Sequence, residues 1–362
     1  MRIRIHGAAA LLAAIALAPT AATAGQPGAT LYTASNAAAG NSVIEIAQAP
    51  DGTLSVVAEY PTGGTGTDGG LGNQGAIATD GEFLFVVDAG SDEVSAFHVS
   101  DSGLSFADRV PSGGATPVSL TVDRGVLYVL NAGSDSIAGF EVGELGQLTP
   151  IPGSVQPLSG AGTGPAQISF TKDGRVLVVT EKATGHLVSF TVDRAGVAGP
   201  PQVFAAPGQT PFGFAVTTGR RILVSEAAGG QPGLSSVSSW KAYPDGRLEV
   251  IDPAVPTLQT AACWVAVTPD GRFAYTTNTG SNSITGYRMR AGRLSLLDAD
   301  GSTAEAGAGP IDMAVSPDGR LLTSLNGAGD SLTSFRIRQD GSLDPADELP
   351  GLPPGTTGLV AR

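Results

Sequence analysis

The sequence repeats itself about seven times, and a chain built of like units must bury the apolar faces of each unit against the next. The clearest copy is Leu127 to Val142, where two apolar runs flank a polar Asn-Ala-Gly-Ser-Asp turn. That is the pattern of one strand folding back on the next. Matching stretches lie at 31–46, 84–99, 177–192, 222–240, 274–289 and 322–337. Their turns begin at Asn36, Asp88, Asn131, Glu181, Glu226, Asn278 and Asn326, with gaps of 43 to 52 residues, a length that suits a four-stranded blade. An upstream run ending in Asp-Gly, as at 269–272 and 317–320, and a downstream run around Gly292 or Gly341 supply the other two strands. The expectation is an all-β chain, a seven-bladed β-propeller of four-stranded blades around a central channel. Residues 357–362 resemble an innermost strand, and the first hairpin near Leu31 has no such strand before it. The C-terminal strand is therefore expected to join the N-terminal blade and close the ring.

Residues 1–24 stand outside the repeat. Arg2 and Arg4 precede an apolar run from Gly7 to Ala18, followed by Pro19 and by Ala22, Thr23 and Ala24 before Gly25. That is the order of a cleaved secretory signal, and the run is shorter than the roughly 20 residues a membrane span requires. The expected organisation is a signal peptide at 1–24 and a single propeller at 25–362, exported to the periplasm or the cell exterior as a monomer. Length alone would suggest two domains, but blades cannot stand alone. Loss of Arg2 and Arg4 takes the formal charge from −13 to about −15, and no basic run remains. Nucleic acid, which draws on clustered Lys and Arg, is not an expected partner.

Cys263 is the only cysteine, so no internal disulfide can form. A nucleophilic thiol would want a histidine partner. His98 and His186 fall in separate blades, and both are expected away from the turn positions. Cys263 reads as a small buried hydrophobe. The segment from Gly64 to Gly69 has the spacing of a dinucleotide-binding loop, but Gly70-Leu-Gly-Asn-Gln-Gly75 after it starts no helix. It reads as the long loop between the first two blades.

In a four-stranded blade the turn after the second strand returns to the face where the innermost strand begins. The seven turn residues, Asn36, Asp88, Asn131, Glu181, Glu226, Asn278 and Asn326, are therefore expected around one channel mouth. Gln74, Gln167, Trp264 and Asp312 join them from the starts of innermost strands. Such a rim would hydrogen-bond a small-molecule lactone or carbohydrate, with Trp264 as a stacking surface, or hold a cation through oxygen ligands. Asn and Asp before Gly-Ser serve their own turns equally well. Glu181, Lys182 and Glu226 depart from the repeat, and such departures point toward function. The sequence requires no cofactor. A divalent cation, calcium or magnesium, is the one such a rim would take.

The Pro-Asp-Gly-Arg turns at 269–272 and 317–320 and the Asn-x-Gly-Ser turns resemble those of the lactonase-type propellers. That family includes bacterial 6-phosphogluconolactonase and fungal carboxymuconate lactonizing enzyme. Residues 70–75, 164–167, 179–182 and 262–264 are similar to an exported subgroup labelled 3-carboxymuconate cyclase, and Tyr275 to Ser281 resembles the Tyr-Val-Thr-Asn repeats of surface proteins. The resemblance implies a lactone chemistry, yet most of the family's catalytic His and Arg are replaced. Thr116-Pro-Val118 stands where the enzymes have His-Pro-His, Gly164-Pro-Ala-Gln167 where they have Gly-Pro-Arg-His, and Thr279 where an Arg follows the turn residue. Only the Glu of their Asn-Glu turn is matched, by Glu181. Two expectations follow. One is a lactone hydrolase with altered chemistry, Glu181 or Glu226 acting as general base and Lys182, Gln167 or a cation polarising the carbonyl. The other is a non-catalytic propeller that binds carbohydrate or protein on the same rim.

Overall fold

The computed structural model describes residues 28–362, so the expected signal peptide lies outside the described residues. Blades 2 to 7 each begin with their innermost strand, at Ile77–Thr79, Pro117–Asp123, Pro165–Phe170, Pro211–Thr217, Ala262–Val267 and Pro310–Val315. Each blade continues outward through antiparallel neighbours in chain order. In blades 3 and 6 the outermost strand is split into two short pieces, both paired with the third strand. Blade 1 starts at Ala29–Ala34 without an innermost strand of its own, and Thr357–Ala361 supplies it. Thr30 and Arg362 exchange backbone hydrogen bonds of 2.9 and 2.8 Å at this closure. Innermost strands touch their neighbours all the way round, which makes the molecule the seven-bladed propeller that the repeat implies.

Every blade is sandwiched between two others, which explains why its second strand is apolar on both faces. Phe83–Asp88 and Val176–Glu181 are buried at every position. A two-sided environment turns the usual alternation into a continuous apolar run. Phe85 and Val87 of blade 2 pack with Leu127 and Val129 of blade 3, whose other face, Tyr128 and Leu130, packs with Leu177 and Val179 of blade 4. Each such side chain contributes about 1.5–3 kcal/mol when taken out of water, so a lone blade would forfeit most of its core.

The turns joining first to second strands lie on the face opposite the channel mouth. Asp173, Asp270 and Asp318 each accept a hydroxyl hydrogen bond from the residue two before, Thr171, Thr268 or Ser316, at 2.6–2.8 Å. The glycine that follows each one has φ between +62° and +72°, a region closed to most side chains. Among the described residues no helix is long and apolar enough to cross a membrane.

Candidate functional site

The residues expected at the mouth sort into two layers. The turn residues close their second strands and are wholly enclosed. Asp88 accepts hydrogen bonds from Asn41 Nδ2, Thr62 Oγ1 and Ser95 Oγ at 2.9, 2.7 and 2.7 Å. Glu181 accepts from the Ser159 amide at 2.9 Å, from the Ser159 hydroxyl and from the Thr184 hydroxyl at 2.6 Å. Glu226 accepts from the Gly208 amide at 3.2 Å and from the Ser236 hydroxyl. Asn278 and Asn326 donate instead, to Ser283 and Thr285 and to Ser331 and Thr333, at 2.8–3.1 Å. Asn131 donates to the Ser112 carbonyl at 3.2 Å and Asn36 to the Gly69 carbonyl at 2.7 Å. Asp88, Asn131, Glu181, Glu226, Asn278 and Asn326 are all 0% exposed, so they present no atom to a ligand. They tie each turn to its own blade or to the connection arriving from the previous one. Burial pushes the Asp88 and Glu226 carboxyls up, against the hydroxyls that favour the charged form.

A shared feature of that connection carries no obvious sequence label. At Gly64, Gly114, Gly208 and Gly307 an added Cβ would fall within 2.3–2.6 Å of Asp88, Asn131, Glu226 and Asn326 respectively. Only a residue without a side chain lets the backbone lie on the buried turn. The recurring Thr-Gly-Gly and Ser-Gly-Gly at 62–64 and 112–114 were the available signal.

The histidine expectation needs correction. His186 stands directly opposite Glu181 in the strand pair, with Nδ1 3.8 Å from the carboxylate, because residues paired across antiparallel strands share a face. Cys263 is buried as expected, and burial pushes its thiol up to about 11, which keeps it protonated and unreactive.

The second layer fills the channel. The segment Gly72 to Gln74, which opens blade 2, hydrogen-bonds to four other blades. The Gln74 amide donates to Ala166 of blade 4 at 3.0 Å, and its side chain donates to the Val265 carbonyl of blade 6 at 3.1 Å. Asn73 donates to the Val118 carbonyl of blade 3 and accepts from Thr357 of the closing strand at 3.3 Å. The Trp264 indole of blade 6 donates to the Asn73 carbonyl. Gly213 of blade 5 packs so close that a Cβ there would lie 2.3 Å from Gln74 Oε1. A segment bonded to this many blades lies across the ring axis and plugs it. Gln167 adds a two-way bridge to the Phe214 backbone of blade 5, at 2.9 and 2.6 Å. Asp312 accepts from the Met313 and Leu359 amides at 2.8 and 3.1 Å, joining blade 7 to the closing strand, and burial pushes its carboxyl up to about 8. Gln74, Gln167, Trp264 and Asp312 are thus occupied with one another's blades, and Trp264, 5% exposed, offers no open stacking face.

Lys182 is different. It follows Glu181 into the turn, is half-buried, and reaches inward to donate to the Gly72 carbonyl of the plug. Its ammonium lies 4.8 Å from the centre of the Phe212 ring, which packs against Trp264 at 4.9 Å between centroids. Burial pushes the Lys182 pKa down. An ammonium uses one of its three donors on Gly72, and the others remain for a carbonyl or hydroxyl arriving at the mouth. Among the described residues no three His, Cys, Asp or Glu side chains gather at metal-binding spacing. A calcium or magnesium ion would have to be held by amide and carbonyl oxygens.

Comparison with solved structures returns the same architecture. A provisionally named 6-phosphogluconolactonase of Bacteroides fragilis is 18% identical, with a TM-score of 0.75 over 94% of this chain and 99% of its own. Another, of Bacteroides uniformis, is 16% identical with a TM-score of 0.74 over 93% of this chain and 100% of its own. The periplasmic gluconolactonase of Pseudomonas aeruginosa is 18% identical, with a TM-score of 0.70 over 92% and 98%. At such identity the likeness speaks for the fold. Among curated proteins no relative matches. The sequence model of the family described as "Lactonase, 7-bladed beta-propeller" matches residues 26–160 and 234–356. With the ring closed blade by blade and most of the sequence matched, the chain belongs to the lactonase family of seven-bladed β-propellers.

Proposed function

We propose that the protein is an exported lactonase-family propeller whose channel mouth seats a small oxygen-rich ring, a lactone, with Lys182 directed at the ring carbonyl. The observation that supports this most is the Lys182 ammonium, half-buried between the plug and the Phe212 ring. A cation fixed in a partly dry site stabilises the negative charge that develops on a carbonyl oxygen when water attacks. In ring opening, water adds to the carbonyl carbon and gives up a proton to solvent, the ring C–O bond breaks, and the departing alkoxide takes a proton from solvent. Glu181 and Glu226, both sealed from water, are assigned no part as the base. The substrate is a neutral sugar or aromatic lactone, because a chain of net charge −13 repels anionic ones. The gluconolactonase name carried by one structural neighbour and the leader-like residues 1–24 support a neutral substrate met after export.

A second reading, binding of lactone or carbohydrate without turnover, is favoured by the sealing of both glutamates. Glucono-δ-lactone opening and calorimetric binding, each measured on wild type and on Lys182→Met, separate the two. Hydrolysis predicts opening faster than buffer, reduced about a hundredfold in the variant. Binding without opening, weakened in the variant, supports the second reading and removes the first. Equal behaviour of wild type and variant removes the mouth as the site.

A further inference from the structure

On the face opposite the mouth, blades 3 and 4 enclose a cleft of about 670 Å³. Three arginines line it, Arg124 from the first turn of blade 3, and Arg175 and Arg194 from the two turns of blade 4. Arg124 is fixed in place, with Nε 2.8 Å from Asp123 and Nη2 donating to the Asp173 carbonyl at 2.9 Å. The guanidiniums of Arg175 and Arg194 make no hydrogen bond or ion pair among the described residues. Asp193, the remaining acid of the lining, is committed to its own turn through the Ala195 and Val197 amides, both at 2.9 Å.

The comparison that gives this weight lies within the repeat. Arg272 of blade 6 occupies the position of Arg175, after the Asp-Gly turn, and is engaged. It donates to the Gln339 carbonyl at 2.8 Å and lies over the Phe273 ring at 5.0 Å. In the corresponding turn of blade 5 the position of Arg194 is held by Pro244, and the arginine three residues on, Arg247, bonds Glu249 at 3.0 Å and stacks on Tyr243 at 3.6 Å. Two forked cations left uncommitted beside a third, in a chain of net charge −13, make an electropositive cleft on an acidic molecule. The planar fork of arginine suits two-point bonding to carboxylate or phosphate. The Phe170 ring, buried on its inner side, and Pro244 give the cleft apolar walls, as small-molecule sites commonly have.

We propose that this cleft binds a small dianion, a molecule bearing two carboxylate or phosphate groups, one for each uncommitted guanidinium. The site is separate from the mouth and carries its own chemistry, so it stands whether or not the mouth opens lactones. Calorimetric titration of the full mature chain with malonate and with pyrophosphate, at low salt and neutral pH, tests it and distinguishes carboxylate from phosphate preference. Binding of either is expected, weakening at least about tenfold in Arg175→Gln/Arg194→Gln and falling steeply with added salt. Both side chains are exposed and unpaired, so the variant keeps its wild-type melting temperature. Lys182→Met, which alters the mouth alone, leaves the dianion affinity unchanged. No binding of either probe up to about 10 mM, or equal affinity in the double variant, overturns the proposal.

Discussion

Blades 4 and 5 solve the same structural problem as blades 6 and 7 with the hydrogen bond reversed. In blades 6 and 7 an asparagine ends the second strand and donates to hydroxyls five and seven residues on. In blade 5 Glu226 takes that position and accepts from Ser236, the residue paired opposite it as Ser283 is opposite Asn278. A hydroxyl donates or accepts by rotating, so one scaffold position accommodates either partner. The longer glutamate also reaches the connection from the previous blade, through the Gly208 amide in blade 5 and the Ser159 amide in blade 4. Asn278 and Asn326 do not, and the Asn278 carbonyl oxygen is left without a partner; Asn131 reaches its connection by donating to the Ser112 carbonyl, but its own oxygen is also left without a partner. The family match breaks at the same place, leaving out residues 161–233, which hold Glu181, Lys182 and Glu226. Departure from the repeat there has a packing explanation for the two glutamates, whereas Lys182 ties its turn to the plug through one donor and keeps two others.

The contrast predicts unequal costs. Glu181→Ala and Glu226→Ala each open a cavity and strip partners from enclosed amides and hydroxyls, and should cost about 2–4 kcal/mol in urea unfolding. Asn278→Ala strips only hydroxyls that can re-pair, at about 1–2 kcal/mol. Equal losses would mean the glutamates are not the stronger ties. Gly208→Ala comes next, since its Cβ would lie 2.3 Å from the Glu226 carboxylate, at about 1–3 kcal/mol. Combined with Glu226→Ala the two losses should be markedly less than additive, because the clash disappears with the carboxylate. Additive losses would show that the close approach is not to Glu226.

These particulars mark what a sequence reading could and could not reach. The seven-fold period and the closing strand were legible because each strand and turn is a local pattern, as in Phe273–Asn278 followed by Thr279–Asn282. The face on which Asp88, Glu181 and Asn278 lie was legible too, since it follows from counting strands. Their orientation was not. Whether a turn side chain points to the channel or back into the blade depends on the approach of Gly64, Gly114 or Gly208, from a different unit. The plug was hidden for the same reason in stronger form: Gln74 meets Val265 across 191 residues of chain. Lys182 was visible as an exception to the repeat, but the plug carbonyl it reaches, that of Gly72, was not.

The two pairs of blades should also differ in titration. A carboxyl with a raised native pKa binds its proton more tightly when folded, so it adds stability that is full below the unfolded pKa near 4 and is lost as pH rises. Glu226 is raised by burial and Asn278 and Asn326 cannot titrate. Stability should therefore fall as pH rises above about 4.5, in part through Glu226 and in part through Asp88 and Asp312, the last continuing to about 8. The lowered carboxyls, such as Asp173 and Asp270, act in the opposite sense and are complete by about pH 4. Glu226→Gln keeps an acceptor for Gly208 and a donor for Ser236, so it should preserve stability at pH 5 and flatten the decline above it. An unchanged slope in urea midpoint against pH would remove Glu226 from the titration.

The smallest effect is expected where the comparison is most direct. Asn278→Asp places in blade 6 the acceptor chemistry that blade 2 already uses, where Ser95 donates to Asp88 at 2.7 Å from the position equivalent to Thr285. The Ser283 and Thr285 hydroxyls need only rotate. Burial raises the pKa of an enclosed carboxyl, and while it keeps its proton at low pH it donates as the amide did and changes stability by less than about 1 kcal/mol. Once ionised at higher pH it has two hydroxyl donors where Asp88 has two hydroxyls and the Asn41 amide, and stability falls below that of wild type. A loss at low pH as large as that of Asn278→Ala would show that the position demands an amide, and that the reversal in blades 4 and 5 depends on glutamate length rather than on hydroxyls that serve either way.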